Sequence, residues 1–269
     1  MTERWVIGVT DAVPPSPAGR VSAFGPKVYA DHPPFSYPDY RSTVKRARTH
    51  EMVPIVQTLS EVTGPSPGTG IDGWSSVTPA DADLTTNAGT GGEAIGSRTI
   101  IVGRVTDVHG APVPGAQIEI WQANASGRYA HWRETSFPAP LDPNFLGAGR
   151  CVTDGSGNYR FLTVRPGPYP WGNHPNAWRP AHIHLSLFGA GWAARLVTQF
   201  YFEGDPLLAL DPIFQSVPDH SRGRLVSRYA HDVTEANHAL GYRFDIVLNG
   251  PSATPADDHH ASSDEVAVR

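Results

Sequence analysis

Residues 98–124, "RTIIVGRVTDVHGAPVPGAQIEIWQAN", constrain the fold more than any other stretch. A β-branched run stops at the Gly- and Pro-rich turn "DVHGAPVPG". Ile118 and Ile120 then alternate with Gln117 and Glu119. β-Branched side chains crowd a helix and suit a pleated surface. A two-residue alternation puts one face in a core and the other outside it. The pattern predicts two strands, and it recurs. "RCVTDGSGNYRFLTV" predicts a hairpin around Asp154 to Asn158, and "HIHLSLFG", "RLVTQFYFEG" and "YRFDIVLNG" predict further strands. Gly (27) and Pro (26) are about a fifth of the 269 residues, which favours short strands and turns over long helices. Helical pattern is confined to "YRSTVKRART" and to "VTEANHAL", where Gly241 is a C-cap candidate.

These signals predict an all-β chain: a β-sandwich over residues 98–250 with an extended, irregular N-terminal arm. Residues 1–97 read as arm and long loop, Pro-rich as far as residue 37 and Gly/Ser/Thr-rich from 61, with "MVPIV" as a buried run. A loop that long is expected to be functional or to pack on a partner. The polar residues 251–269 are expected to be disordered. All-β domains of this length often form one unit, and 39% hydrophobic residues suffice for a core. A net charge of −5 without a basic stripe argues against nucleic acid as a partner. No apolar run approaches the roughly 18 residues of a membrane span. The N-terminal "MTERWVIGVTDAVPP" lacks the uninterrupted apolar core of a signal peptide. The single cysteine, Cys151, excludes an intramolecular disulfide and any multi-Cys metal site, and it fits a reducing, cytoplasmic setting.

His182 and His184 stand one residue apart on a predicted strand, so both imidazoles project to one face. Alone, the pair is as compatible with a zinc or cupin-type site as with a structural role. No Asp or Glu stands beside it. Two tyrosines are the available company, Tyr169 just upstream and Tyr129 in "WQANASGRYAHW". Taken singly, each would be a packed aromatic. A phenol with a pKa of about 10 is a poor ligand for a divalent ion at neutral pH. A hard trivalent cation stabilises phenolate directly. Of the common biological metals, Fe(III) fits two tyrosinates and two neutral imidazoles best.

"WQANASGRYAH", "LDPNFLGAGRCVTDGSGNYRFLTVRPGPYPW", "NAWRPAHIH", "LVTQFYFEGDP" and "YRFDIVLNG" follow one another in an order that resembles the intradiol ring-cleavage dioxygenases. The resemblance covers about residues 36 to 250 and includes "PDYRSTV" and "SEVTGP" in the arm. It implies one Fe(III) per chain, held by Tyr129, Tyr169, His182 and His184, with Tyr169 the ligand that leaves when substrate binds. It implies that Arg179 stabilises charge developing on the bound ring, that Gln199 lines the site beside the iron, and that Trp171 lines the substrate pocket. Tyr40 would reach a substrate carboxylate. The implied reaction is cleavage of 3,4-dihydroxybenzoate by O2 to 3-carboxy-cis,cis-muconate. The implied partner is a homologous α chain without iron ligands, in a hetero-oligomer of αβ units. The only obvious cation near the motifs is Arg179, so the α chain is expected to supply the charge that meets the carboxylate. Gly172 and His174 depart from the pattern at the pocket mouth; His174 reads as a surface-loop histidine or a further polar pocket group. Two rivals have different signatures. A non-catalytic transthyretin-like sandwich would use the His pair structurally. Catechol and hydroxyquinol 1,2-dioxygenases carry a helical N-terminal domain, which the extended arm does not match.

Overall fold

In a computed structural model the described residues are 31–48, 50, 77–131, 134, 138–188, 195–248 and 250–256. The part of the predicted arm before residue 31, the segment 51–76 with "MVPIV" and "SEVTGP", and the tail beyond 256 lie outside them.

Eleven strands are described. They are β1 (Arg98–Asp107), β2 (Gln117–Trp121), β3 (Ala148–Val152), β4 (Asn158–Val164), β5 (Tyr169–Pro170), β6 (Trp178–Arg179), β7 (His182–Phe188), β8 (Arg195–Phe202), β9 (Val226–Tyr229), β10 (Leu240–Arg243) and β11 (Ile246–Leu248). Nine of them form one mixed sheet in the order β11-β1-β10-β9-β8-β7-β2-β3, with β4 also paired to β1. β5 and β6 form a separate two-strand ladder. The sheet curls so that its two halves share a core. Ile101 and Val105 of β1 and Phe161 of β4 meet Ile118 of β2, Ile183, Leu185 and Leu187 of β7, and Phe200 and Phe202 of β8, all buried. Each such side chain contributes about 1.5–3 kcal/mol by leaving water. Leu84 and Ala94, ahead of β1, join the same core.

Two local expectations are corrected. The turn at Asp154 to Asn158 forms, with Gly157 N donating to the Asp154 carbonyl at 2.9 Å. Its flanking strands nevertheless do not pair as a hairpin: β3 pairs with β2, and β4 runs seven register pairs along β1. The turn chemistry was legible, whereas the choice of partner is set by the apolar faces of β1 and β2. "VTEANHAL" is not a helix either. A short 3₁₀ turn (His231–Val233) leads into a tight turn with Asn237 at φ 61°, and Gly241 lies inside β10, accepting from Ala230 N at 2.8 Å. Strand pairing overrides the weak helical preference there.

α1 (Arg41–Arg46) falls within the predicted "YRSTVKRART". α2 (Pro212–Ser216) and α3 (Asp219–Arg222) were not anticipated, because helices this short show no periodicity. The buried Asp31 carboxylate accepts from Ser221 of α3 at 2.7 Å and pairs with Arg224, which ties the start of the described arm to the sheet domain.

Candidate active site

The site begins with strand register. His184 of β7 is paired with Trp121 of β2 on one side and Gln199 of β8 on the other, and His182 is paired with Tyr201. Paired residues point to the same face. That face therefore carries both histidines, Trp121, Gln199 and Tyr201, while Ile183, Leu185 and Leu187 fill the core behind it. The imidazoles of His182 and His184 lie 4.9 Å apart, and Trp121 stacks on His184 at 5.0 Å with planes 3° apart. Nδ1 of His182 donates to the Pro180 carbonyl at 2.7 Å. This fixes the tautomer and leaves the Nε2 lone pair facing the site.

A loop carries Tyr129, and β5 carries Tyr169, over this face. Tyr129 Oη lies 3.4 Å and Tyr169 Oη 3.3 Å from that same Nε2 of His182. The two phenol rings meet edge to face at 5.6 Å. Asn124 shapes the Tyr129 loop: its Oδ1 accepts from Ser126 N and Arg128 N, and its carbonyl accepts from Gly167 N beside the Tyr169 segment. Gly127 lets the two segments touch. Its φ is +83°, and a Cβ there would lie 2.3 Å from the Pro168 carbonyl oxygen.

Protonation follows from burial. Burial, helped by the charge of Arg179, holds His182 well below the usual imidazole range and brings His184 to about 3. Both imidazoles are neutral at pH 7 and free to ligate. Burial also pushes both phenols above their ordinary value of 10. They ionise at neutral pH only if a strong positive charge joins them. Among the described residues no group of three or more His, Cys, Asp or Glu could hold a metal. A metal on this face would therefore have to use the phenols. The donor set of Tyr129, Tyr169, His182 and His184 fits a hard trivalent cation, whose charge would offset the cost of two buried phenolates.

Arg179 of β6 is the register partner of Tyr169. It is buried, donates from Nη2 to Gln199 Oε1 at 2.5 Å, and places its guanidinium 5.5 Å from the Trp171 ring. Trp171 in turn packs on Tyr40 at 5.6 Å. Gln199, Arg179, Trp171 and Tyr40 thus run outward from the histidines to the arm. There a cleft of about 600 Å³ is lined by Arg41, Ser42, Lys45, Trp171, Gly172 and Asn173. Asn173 latches the arm to the cleft, accepting from Arg41 N at 2.9 Å and donating to the Asp39 carbonyl at 2.6 Å. Position 172 is open: a Cβ would meet nothing within 4 Å. His174 is exposed, with Nδ1 2.8 Å from the Pro175 carbonyl, and stands apart from the cluster.

Every residue singled out in the sequence except His174 is therefore part of one continuous arrangement. Trp121, Arg41 and Lys45 are not among the residues that the sequence singled out. Arg41 and Lys45 correct the expectation that Arg179 is the only cation near the motifs. Their signal was available, since both lie in α1, directly after Tyr40.

A family model described as "Dioxygenase" matches residues 71–250, and one described as "Protocatechuate 3,4-dioxygenase beta subunit N terminal" matches residues 27–58. The chain belongs to the intradiol ring-cleavage dioxygenase family, whose members use non-haem iron. Among its relatives, the protocatechuate 3,4-dioxygenase beta chain of Burkholderia cepacia is 55% identical over 232 residues, 86% of this chain and 96% of that one. The chlorocatechol 1,2-dioxygenase of Rhodococcus opacus is 37% identical over 128 residues, 43% of this chain and 48% of that one. The solved structure of 3-chlorocatechol 1,2-dioxygenase from Rhodococcus opacus 1CP overlays with a TM-score of 0.49 at 24% identity, covering 64% of this chain and 66% of that chain. Among the described residues no helix is long and apolar enough to cross a membrane.

Proposed function

We propose that this chain is the iron-bearing β chain of a protocatechuate 3,4-dioxygenase, opening the ring of 3,4-dihydroxybenzoate with O2 to 3-carboxy-cis,cis-muconate. The observation that carries the reading is the meeting of Tyr129 and Tyr169 hydroxyls on the free Nε2 of His182, in a chain 55% identical to such a β chain. In this reading Tyr129, Tyr169, His182 and His184 hold one Fe(III). The metal acts as Lewis acid and template for the bound diol.

The chain's own groups do the rest. Tyr169 sits on a two-residue strand at the rim of the site. Its phenolate oxygen takes a proton from a substrate hydroxyl as the diol binds. Arg179, already buried, faces the ring and stabilises negative charge where it develops, without reorganising at the moment of reaction. Gln199 holds one arm of that guanidinium. Trp171 walls the ring, and the Tyr40 hydroxyl, with Arg41 and Lys45 nearby, meets the carboxylate. Residues 98–250 form the catalytic unit and residues 1–97 the packing and interface segment. The match of the arm to a beta-subunit model supports a homologous α chain as partner. The single cysteine, buried, supports a reducing, cytoplasmic setting.

Oxygen uptake over a panel of substituted catechols, with metal analysis of the same sample, tests the reading. The 3-carboxy-muconate product and about one iron per chain are the expected results. Zinc or copper in place of iron, or no turnover of 3,4-dihydroxybenzoate by the complex, would refute it.

A further inference from the structure

A buried guanidinium is costly unless a counter-charge accompanies it. For Arg179 that counter-charge is Asp211. Its Oδ1 lies 3.2 Å from Arg179 Nε, and Asp211 is fully buried. The contact is an ion pair without hydrogen-bond geometry, since Nε makes no hydrogen bond.

Asp211 is itself fixed from two sides. As the residue that opens α2, it accepts from Ile213 N at 3.3 Å. Its Oδ2 accepts from the Tyr201 hydroxyl at 3.3 Å. Tyr201 is the register partner of His182, so Asp211 is referenced to the strand that carries the histidines. Asp211 and Gln199 together hold the guanidinium at Nε and Nη2. Nη1 makes no hydrogen bond to a described residue, and the charge of Arg179 is felt at Tyr169, His182 and His184.

We propose that Asp211 is a positioning residue for Arg179: it clamps the Nε edge so that the opposite edge stays presented to the bound ring between Tyr169 and the histidines. The inference rests on the reading of Arg179 as the group that meets charge developing on that ring. It extends that reading to a residue with no place in the ligand set or the pocket wall. A guanidinium released from its clamp would still bind an anionic substrate. It would meet the developing charge less well, so the loss should fall on kcat and spare KM.

The test uses the iron-loaded complex with its partner chain. Asp211→Asn and Asp211→Ser both keep a cap acceptor for Ile213 N and both remove the charge. Iron content and KM are expected to stay within about twofold of the parent, with kcat lowered about 10- to 100-fold, the range typical of residues that orient a functional group. Asp211→Glu, which restores the charge, should recover most of the loss. In an Arg179→Ala background, Asp211→Asn should change kcat by less than about twofold, because residues acting as one unit are not additive. An unchanged kcat in Asp211→Asn overturns the proposal, as does an equal further loss in the Arg179→Ala background. Failure of both variants to fold would make Asp211 a purely structural residue and also overturn it. Failure of the parent complex to cleave any catechol would instead strike the functional reading.

Discussion

Tyr169 and Arg179 face each other across the two-residue β5–β6 ladder, three residues of chain before His182. One small ladder therefore sets how far the Tyr169 phenol stands from the Arg179 guanidinium. On the proposed ligand set, Tyr129→Ala, His182→Ala and His184→Ala are each expected to abolish iron binding and the visible colour of a tyrosinate–Fe(III) centre. Tyr169→Phe should differ: some iron retained, an altered visible spectrum, and turnover lowered by at least about 100-fold, because the proton acceptor is gone. Metal analysis and visible spectroscopy on the same samples separate the outcomes. Parental turnover in Tyr169→Phe would mean that the role belongs elsewhere.

Gly127→Ala probes how the two tyrosines are brought together. The positive φ alone costs an alanine about 1–2 kcal/mol. The larger effect is steric, because the new Cβ would lie 2.3 Å from the Pro168 carbonyl oxygen, and one segment must retreat. Retreat separates Tyr129 from Tyr169. The expected outcome is a folded chain with reduced iron occupancy, read by titration of the metal-free protein. Parental occupancy would show that the loop can yield without moving the phenols.

The elements that were legible in the sequence are those with a period. The strand alternation gave β1, β2, β7 and β8, and with them the shared face of His182 and His184. The phenols are a different case. Tyr129 and Tyr169 lie 53 and 13 residues from His182, and no period ties them to it, so the residues offered them only as candidate company and the family resemblance alone implied that they are ligands. Asp211 and Trp121 were out of reach. Their positions depend on β2–β7 register and on a five-residue helix, and neither can be read from local composition. The β3–β4 turn shows the same limit, since turn residues specify a reversal and not the strand that will be paired afterwards.

Cys151 gives a pH-dependent expectation. Burial pushes its thiol up to about 12. In the unfolded chain a thiol ionises near 8.5. Between those values the unfolded state binds fewer protons than the folded one, so stability falls as pH rises, and the effect vanishes below about 8.5. Denaturant melts at pH 8, 9 and 10 should show the parent losing stability faster than Cys151→Ala, approaching about 1.4 kcal/mol per pH unit above 9. The native thiol should also resist alkylation at pH 8. Rapid labelling of the folded protein would show that Cys151 is accessible.

The partner chain can be argued from the surface. Arg41 and Lys45 line the cleft, so the chain has cations of its own, and the need for a borrowed charge no longer supports a partner. Exposed apolar residues remain. Ile95, Leu141 and Leu146 are each more than half exposed, and Ile95 N donates to Oδ2 of Asp142, the residue that follows Leu141. Val44 is exposed on α1, next to the cleft. Exposed apolar side chains of this size are a cost in water that an interface would remove. Together with the beta-subunit match over residues 27–58, it leads us to expect a hetero-oligomer of αβ units with closed symmetry. Expressed alone, the chain should be poorly soluble or weakly active. Co-expression with a homologous α chain should yield one particle of equal stoichiometry and restore turnover, measured by light scattering and oxygen uptake. A monodisperse preparation of this chain alone, fully active on 3,4-dihydroxybenzoate, would rule the partner out as a requirement. The exposed apolar residues would then mark contacts between copies of the same chain.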